Sequence, residues 1–403
     1  MIHFQWRYLI LVNAVWLTSL LPDVTSQPID TQATVETKAL YNMLRSVAQN
    51  QSRILVGTHL PTMFGLYGGH PPYWTYEYQG KPQAWMFHPS MAHKDYPDEL
   101  CDPCLVVNDF PAIAGFDFAL VGDSTEDAWV YLMHTAHDRG AVITFCFHSY
   151  NLVTNHGPWI SGDTGAYHSI RRILPGGDHH RVFEARLDQI ADFIKSKVVD
   201  KNGVPIPFIF RIWHEQNGNW FWWGYGNQAN NTVEDIKQLA QFTVTYLRDH
   251  KGLHNILYAI SPDCGGSVDA EAVYPGNDYV DIIGTDCYLI PGTRNATYMQ
   301  YTLDKVVRQA EANGKIAAIT ETSVAESHLD QMPQFFTQGI LHSLTATSGM
   351  RMAYVSTWNN HRTSDSDADV FSPYPGHPTA PDYLEFYNDK RTVFLKDLKS
   401  NYP

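Results

Sequence analysis

Short apolar runs alternate along the chain with longer segments in which apolar residues recur at helical spacing. Eight of the runs have the length and the β-branched or aromatic content of buried strands. They span residues 53–59, 114–122, 141–148, 204–210, 256–261, 280–287, 316–320 and 352–358. The helical segments span residues 31–51, 126–138, 181–199, 233–249, 298–313, 331–346 and 383–398. This alternation predicts an α/β fold, a (β/α)8 TIM barrel built on a parallel sheet.

Two connections are far longer than the others: residues 61–106, and a Gly-rich segment that contains Trp159 and runs to Gly177. The first is rich in Gly, Pro, His and aromatic residues and shows little periodicity. Because loops of this length are usually functional or disordered, the aromatic content favours an ordered loop at the site. No linker interrupts residues 27–403, so we expect a single domain with long βα loops.

The first 26 residues have the pattern of a secretory signal peptide. Arg7 supplies the positive start, residues 8–21 form the apolar core, and residues 24–26 offer a cleavage site before Gln27. The apolar core is too short to span a bilayer comfortably, and an uncleaved anchor is the alternative. We therefore expect a secreted, extracellular protein whose mature domain is 27–403 and which makes no membrane contact. Glycosylation in a host that secretes through an endoplasmic reticulum is a hypothesis for three sequons, at Asn50, Asn230 and Asn295.

The charge balance excludes one class of partner. The chain has 28 Lys and Arg against 42 Asp and Glu residues, a formal net charge of −14. Nucleic-acid binding needs a basic face, so an acidic chain is a poor candidate for it, and solubility is the simplest meaning of the charge. Aromatic residues make up 13 % of the chain, with 11 Trp and 23 Tyr, which suits carbohydrate binding because rings stack on sugar faces.

The richest chemistry lies in residues 211–224, R-I-W-H-E-Q-N-G-N-W-F-W-W-G, directly after the strand pattern 204–210. This segment places Glu215 at the mouth of a strand, with aromatic residues following it. A second carboxylate, Glu321, ends the strand pattern 316–320. Two carboxylates at the mouths of two strands are the minimum machinery of glycoside hydrolysis. The alternative is a buried Glu at the barrel rim, with Trp residues packed under a loop.

In (β/α)8 barrels the chemistry gathers at the C-terminal ends of the strands. Polar or aromatic residues stand at the predicted ends: His59, His148, Glu215, Asp286, Tyr288, Glu321 and Trp358. Packing alone hardly explains seven such groups, so we expect them to surround one pocket.

The sequence resembles glycoside hydrolase family 26, which contains many endo-β-1,4-mannanases. The resemblance rests on W-H-E-x-x-G-x-W-F-W-W-G at 213–224, D-x-Y at 286–288, T-E at 320–321 and S-T-W at 356–358. It implies a retaining double displacement with Glu215 as general acid/base and Glu321 as nucleophile. A retaining site needs its carboxyl groups roughly 5–5.5 Å apart, and strands four and seven face each other across a barrel.

The resemblance also implies contacts to the sugar. The candidate substrate-binding residues are His148, His214, Trp220, Tyr288, Trp358, Asp286 and Arg362, with His59 and Trp159 added from the first strand end and the second long loop. His214 corresponds to a residue that shapes the site around the −1 sugar, on the non-reducing side of the scissile bond. Tyr288 corresponds to a tyrosine that hydrogen-bonds the nucleophile, His148 to a binding histidine, and Arg362 to a contact with the −2 sugar.

Among the aromatic residues, Trp220 and Trp358 correspond to rings that stack at the −1 sugar. Trp222 and Trp223 are expected in the core. For Asp286, which matches a polar residue of the family, a structural role is equally open.

Two short motifs resemble metal-binding sequences, but neither has all the residues that its metal site requires. Residues 214–215 begin like the zinc motif H-E-x-x-H, but Gly218 stands where the second His belongs. The aspartates at 365, 367 and 369 alternate as in a calcium loop, but Val370 and Gly376 occupy the positions of the required Gly and Glu. We therefore expect no metal and no cofactor.

The five cysteines leave at least one without an intramolecular partner. Cys101 and Cys104 lie in a polar, Pro-containing loop, which favours a local disulfide or two inert thiols over a redox motif. Cys264 and Cys287 follow predicted neighbouring strands, so a bridge between them stays open.

The function expected from these residues is that of a monomeric endo-β-1,4-mannanase whose partner is the polysaccharide: mannan, glucomannan or galactomannan. Two alternatives remain. One is a family-26-like β-1,3-xylanase or mixed-linkage β-glucanase, since loop shape decides how the −1 subsite treats the axial 2-hydroxyl of mannose. The other is a non-catalytic secreted carbohydrate-binding protein, although such proteins usually lose a catalytic carboxylate and both are present here.

Overall fold

A computed structural model of the protein describes residues 27–67, 74–78, 81–86, 101–364 and 367–401. Eight parallel strands pair in sequence order, and the last pairs with the first to close a barrel. The strands are β1 Ile54–His59, β2 Ile113–Asp117, β3 Val142–Cys146, β4 Phe208–Arg211, β5 Ile256–Ile260, β6 Ile282–Asp286, β7 Ile316–Thr322 and β8 Met352–Thr357. This closed sheet confirms the predicted (β/α)8 barrel.

Helices cover the barrel. They are α1 Val35–Asn50, α2 Asp102–Val107, α3 Glu126–Asp138, α4 Ser169–Ile173, α5 His180–Lys197, α6 Val233–Thr245, α7 Ala296–Ala312, α8 His342–Ala346, α9 Ala380–Asn388 and α10 Leu395–Asn401. π-Helical segments at Tyr246–His250 and Phe335–Leu341 extend α6 and precede α8. In seven of the eight strands every residue is buried, which is why the sequence shows continuous apolar runs rather than alternation.

The amino-terminal end of the barrel is closed by α1. Thr34 caps this helix through its side-chain oxygen, which accepts from the N–H of Thr37 at 3.1 Å. The helix buries Leu40, Leu44 and Val47 in one apolar cluster with residues at the starts of the strands, such as Leu55. The opposite, carboxyl-terminal end is therefore the end at which polar side chains can gather.

Shorter strands decorate the long loops. Phe64–Gly65, Trp74–Tyr78 and Lys81–Met86 form an antiparallel sheet after β1. His361–Ser364 pairs with Asp367–Asp369 after β8. The predicted loop 61–106 thus contains secondary structure, including the start of α2.

The structure corrects several predicted boundaries. The second strand ends at Asp117 rather than at 122, because the chain turns into a short 3-10 helix, Phe118–Leu120. The fourth begins at Phe208 rather than at 204, since Pro205 and Pro207 cannot donate to a ladder. The predicted helix 331–346 is instead the π-helical segment followed by the short α8.

Two disulfides are present, Cys101–Cys104 and Cys264–Cys287, and the thiol of Cys146 is free and buried. The local bridge agrees with one of the two forms expected for the first pair. The second bridge, left open by the sequence, ties the loop after β5 to the residue after β6. The predicted signal peptide lies outside the described residues. Among the residues described, no helix combines the length and apolar character needed to cross a bilayer.

Candidate active site

Glu321 stands near the carboxyl end of β7 and is buried. The hydroxyl of Tyr288 donates to one of its oxygens, and the guanidinium of Arg211 donates to the other. Burial raises the pKa of Tyr288, and the charges of Glu321 and Glu215 raise it further, so the phenol keeps its proton and remains a donor. Glu321 is thereby held in one orientation at the barrel mouth.

Glu215 is supported differently, because it lies in the turn after β4 rather than on a strand. Its φ of 54° places it in the left-handed region, which is strained for a residue with a side chain. Its N–H donates to the carbonyl of Ser261 at 2.8 Å, and its carbonyl accepts from Gly218 at 2.8 Å. The indole N–H of Trp220 donates to its Oε2 at 2.5 Å. The turn brings the carboxyl group close enough to Glu321 for the two groups to interact electrostatically.

The protonation of Glu215 follows from its surroundings. Burial raises the pKa of this carboxyl well above the ordinary glutamate value, and the charge of Glu321 raises it further, with smaller effects from Asp286 and Asp263. The hydrogen bond from Trp220 acts in the opposite direction. The balance favours a neutral carboxylic acid, which can donate a proton.

Arg211, the last residue of β4, is the charged centre of the site. It is 5 % exposed, and its two terminal nitrogens pair with Asp286 and Glu321. One guanidinium therefore faces three buried carboxyl groups, counting Glu215. The guanidinium and further hydrogen-bond donors can compensate the charges of Asp286 and Glu321. The carboxyl group of Glu215 is not paired with the guanidinium and is most easily kept neutral by a proton.

Asp286 lies beneath the pocket and is 0 % exposed. Besides Arg211, it accepts from the hydroxyls of Thr320 at 2.8 Å and Ser261 at 3.1 Å. Of the two roles left open for this residue, its burial and filled hydrogen-bond capacity favour the structural one, holding Arg211 in place.

A hydrogen-bonded row of side chains lines the opposite wall. Asp117 accepts from Nδ1 of His148 at 2.7 Å and from its backbone N–H at 3.1 Å. Nε2 of His148 lies 3.0 Å from Nε2 of His214. Burial lowers the pKa of His214, so this ring is neutral. The row fixes both rings at the mouth.

The aromatic platform consists of Trp358 and its neighbours. His59 stacks on Trp358 with ring centroids 4.2 Å apart and an interplanar angle of 8°. The ring of His148 lies 5.4 Å from the same indole. Trp358 and Trp220 are both partly exposed, which leaves their faces available to a ligand.

Farther out, Trp159 is 55 % exposed and packs on Phe221 at 4.8 Å between centroids. Phe221 in turn contacts His214 at 5.1 Å, so Trp159 lies on the rim of the same mouth. Trp222 and Trp223 are fully buried, as expected for core residues. The side chain of Arg362 lies outside the described part of the structure. Residues 365–366, which belong to the calcium-loop pattern excluded above, also lie outside it.

The sequence reasoning assigned no role to Arg211 or Asp117, which the structure places at the centre of the site. Arg211 had a visible signal, since it stands directly after the apolar run 204–210, where a charged residue faces the barrel mouth. Asp117 was hidden because the second strand was predicted to continue past it. Asn217 was also missed; its side chain exchanges hydrogen bonds of 2.8 and 2.9 Å with the backbone of Asp263 and so ties the Glu215 turn to the β5 loop.

The arrangement joins an oriented carboxylate, a buried carboxylic acid and aromatic faces at the carboxyl end of a (β/α)8 barrel. Paired carboxyl groups of this kind are the machinery of a glycoside hydrolase. The family model of glycosyl hydrolase family 26 matches residues 91–360, and the chain belongs to that family.

Curated relatives that match the chain carry the name mannan endo-1,4-beta-mannosidase. The chain is 30 % identical over 322 residues to a mannan endo-1,4-beta-mannosidase of Bifidobacterium adolescentis, a match that covers 73 % of this chain and 31 % of the relative. It is 31 % identical over 184 residues to a mannan endo-1,4-beta-mannosidase of Bacillus subtilis, covering 43 % of this chain and 50 % of the relative. The chain therefore spans at most about half the length of these curated relatives.

Solved structures match over nearly the whole fold. The catalytic domain of a Bacillus sp. JAMB-750 GH26 endo-beta-1,4-mannanase superposes with a TM-score of 0.76 at 30 % identity, covering 94 % of this chain and 95 % of that one. The GH26C structure from Muricauda sp. MAR_2010_75 gives a TM-score of 0.76 at 28 % identity, covering 95 % and 99 %.

Proposed function

We propose that the protein is a secreted, retaining endo-β-1,4-mannanase that cleaves internal bonds of mannan, glucomannan and galactomannan. The observation that carries the proposal is the unequal pair of carboxyl groups. Glu321 is oriented by Arg211 and Tyr288, whereas burial and the charge of Glu321 raise the pKa of Glu215. The substrate class is supported by the mannanase names of the family-26 relatives.

In the first step, Glu321 attacks the anomeric carbon of the −1 mannose, and Glu215 gives its proton to the departing glycosidic oxygen. One C–O bond forms to the enzyme while the bond to the leaving sugar breaks. In the second step, Glu215, now a carboxylate, takes a proton from water. That water attacks the anomeric carbon and releases Glu321. Two inversions give net retention.

Substrate recognition is assigned to the walls of the mouth. Trp358 and Trp220 present ring faces to the flattened −1 sugar. His148 and His214, fixed in their row by Asp117, give the pocket wall a fixed shape around that sugar. Trp159 extends the aromatic surface along the rim, where it suits a longer chain.

The test is a reducing-sugar assay on mannan, galactomannan, glucomannan, lichenan and β-1,3-xylan, with the anomeric form of the first product followed by proton NMR. We expect release from the mannans with β-configured product appearing first. Cleavage of lichenan or β-1,3-xylan alone would replace the proposed substrate class. An α-configured first product would overturn the retaining mechanism, and binding without cleavage of any polymer would leave a carbohydrate-binding protein.

Secretion, freedom from the membrane and a monomeric state belong to the same proposal. They rest on the signal-peptide pattern of the first 26 residues and on the usual behaviour of polysaccharide-degrading enzymes with this fold, which are secreted monomers. All three are tested by expressing the full chain. Mass spectrometry of the culture medium identifies the secreted protein and its first residue, and sedimentation of that protein gives its oligomeric state. We expect a soluble monomer that begins at Gln27; a product retained in the cell envelope would contradict it.

A further inference from the structure

Beneath the aromatic platform lies a group of metal-type donors that the hydrolytic steps do not use. His59 ends β1, Asp117 ends β2 and Cys146 ends β3, and all three are buried. One ligand atom from each lies within 4.8 Å of the other two. All five cysteines lie in the described part of the chain, and four form disulfides, so Cys146 carries the single free thiol.

We propose that His59, Asp117 and Cys146 form a binding site for a divalent cation of the zinc type, and that the bound ion inhibits the enzyme. The binding part of this inference stands on the donor geometry alone. The inhibition part rests on the proposed function.

The donor set matches the preferences of zinc. Thiolate, imidazole and carboxylate are its three protein ligands, and a site with three of them leaves one position for water. With a Zn–S bond near 2.3 Å and a Zn–N bond near 2.0 Å, a tetrahedral ion separates its S and N ligands by roughly 3.5 Å. Sγ of Cys146 lies 3.5 Å from Nε2 of His59. The pair therefore already has the separation that an ion requires.

The carboxylate is also held by outer partners, as metal ligands usually are. Asp117 accepts from Nδ1 of His148 at 2.7 Å and from the N–H of Ala119 at 2.8 Å. His148 keeps this bond when Asp117 takes the ion as a monodentate ligand. The cation Arg211 lies nearby and opposes binding, but it is already paired with Asp286 and Glu321.

A bound ion acts on catalysis through two neighbours. His59 is the ring on which Trp358 stacks, so ligation fixes or shifts the base of the platform. The ion also places positive charge close to Glu321, whose charge is felt at Cys146. Added positive charge stabilises the free nucleophile relative to the transition state, in which that negative charge is consumed. Both effects lower kcat/KM.

The test measures the metal first and activity second. The protein is titrated with Zn²⁺ by calorimetry and with Co²⁺ by absorbance, where a thiolate-to-cobalt charge-transfer band reports Cys146 alone. Matched variants Cys146→Ser and Cys146→Ala are carried beside the wild type, with melting temperature and metal-free activity recorded for each. Mg²⁺ is the control ion, since it prefers oxygen ligands.

We expect one Zn²⁺ per chain, a charge-transfer band with Co²⁺, and no response to Mg²⁺. Both variants should hydrolyse mannan in the absence of metal, lose the band and weaken Zn²⁺ binding and inhibition by about tenfold or more. Absence of the band in the wild type would overturn the site, whatever the protein hydrolyses. Zinc inhibition of equal strength in the wild type and Cys146→Ala would place the inhibitory ion on other groups and overturn the inhibition.

Discussion

Glu215 and Glu321, the two glutamates of the proposed mechanism, lie at one barrel mouth but are supported in opposite ways. Glu321 stands on strand β7, where the register to both neighbouring strands shifts, and accepts from a guanidinium and a phenol. Glu215 stands in a strained turn, is buried, and accepts from one indole N–H while negative neighbours raise its pKa. The comparison shows how one fold gives the same side chain two different environments, and the proposed mechanism assigns a different role to each.

The supports also differ in what they depend on. The backbone of Glu321 lies within the barrel sheet, at an irregularity in the register of β7, and its carbonyl accepts from the N–H of Cys287 at 2.9 Å. The position of Glu215 depends on contacts to another loop: its N–H bonds Ser261, and Asn217 bonds the backbone of Asp263. A left-handed residue costs about 1–2 kcal/mol, which these contacts offset. The acid side of the site is therefore the more vulnerable to changes outside it.

Removal of the nucleophile gives the largest expected effect. In Glu321→Ala no glycosyl-enzyme can form, so turnover of mannan and of activated aryl mannosides should both fall by about 10⁴-fold or more. Steady-state rates on both substrates measure it, with Glu321→Gln as the matched variant of similar shape. Retention of aryl mannoside turnover in either variant would contradict the assignment.

Removal of the acid should separate the two substrates. In Glu215→Ala, mannan hydrolysis should fall by about 10²–10⁴-fold, because the sugar leaving group needs a proton. An activated aryl mannoside does not, so its first step should survive and the glycosyl-enzyme should accumulate. Burst kinetics and intact-protein mass spectrometry detect that species. If Glu215→Ala and Glu321→Ala lost the first step on the aryl mannoside equally, the different roles assigned to the two glutamates would be wrong.

Removal of Arg211, the cation shared by two carboxylates, should lower the stability of the fold and disturb the orientation of Glu321. Arg211→Met leaves Asp286 and Glu321 buried without a counter-charge, which should lower the free energy of unfolding by about 3–5 kcal/mol. Denaturant unfolding measures this loss. Adding Asp286→Asn in the same chain removes one of the stranded charges and should restore part of the stability. No recovery in the double variant would argue against a charge-based role.

Removal of the platform ring should act on the chemistry more than on the fold. Trp358→Ala should lose about 1–3 kcal/mol of transition-state stabilisation, or roughly tenfold to a hundredfold in kcat/KM, with kcat lowered as well as KM raised. Trp159→Ala, on the exposed rim, is the matched control with a smaller effect on short substrates. A large drop in melting temperature with normal kcat in the folded fraction would leave Trp358 as a structural residue.

The smallest effect concerns stability against pH. The pKa of Glu215 is raised in the folded state, so its proton contributes stability that is complete below the ordinary glutamate pKa and is lost as pH rises through the raised pKa. Glu215→Gln keeps the shape without the titration. The wild type should therefore lose stability relative to this variant as pH rises, by at most about 1.4 kcal/mol per pH unit. Urea unfolding at a series of pH values checks it, and a constant difference would refute the shifted protonation.

The sequence alone determined the barrel and many of its contents. Eight apolar runs separated by helical patterns are a consequence of strands buried on both faces, so a local pattern reports the global architecture. Because parallel strands present their carboxyl ends at one side, the sequence alone places the residues after those runs at one mouth. His59, His148, Tyr288 and Glu321 all lie there.

Tertiary structure decided what those residues do to one another. No local pattern states that Arg211 joins Asp286 to Glu321, that Asp117 orders two histidines, or that Cys146 lies 3.5 Å from His59, since each contact joins residues far apart in the chain. The same holds for the protonation of Glu215, which depends on burial and on charges contributed by other strands and loops. Sequence periodicity encodes which face of an element is buried, whereas hydrogen bonds and electrostatic shifts depend on distances that only the closed barrel sets.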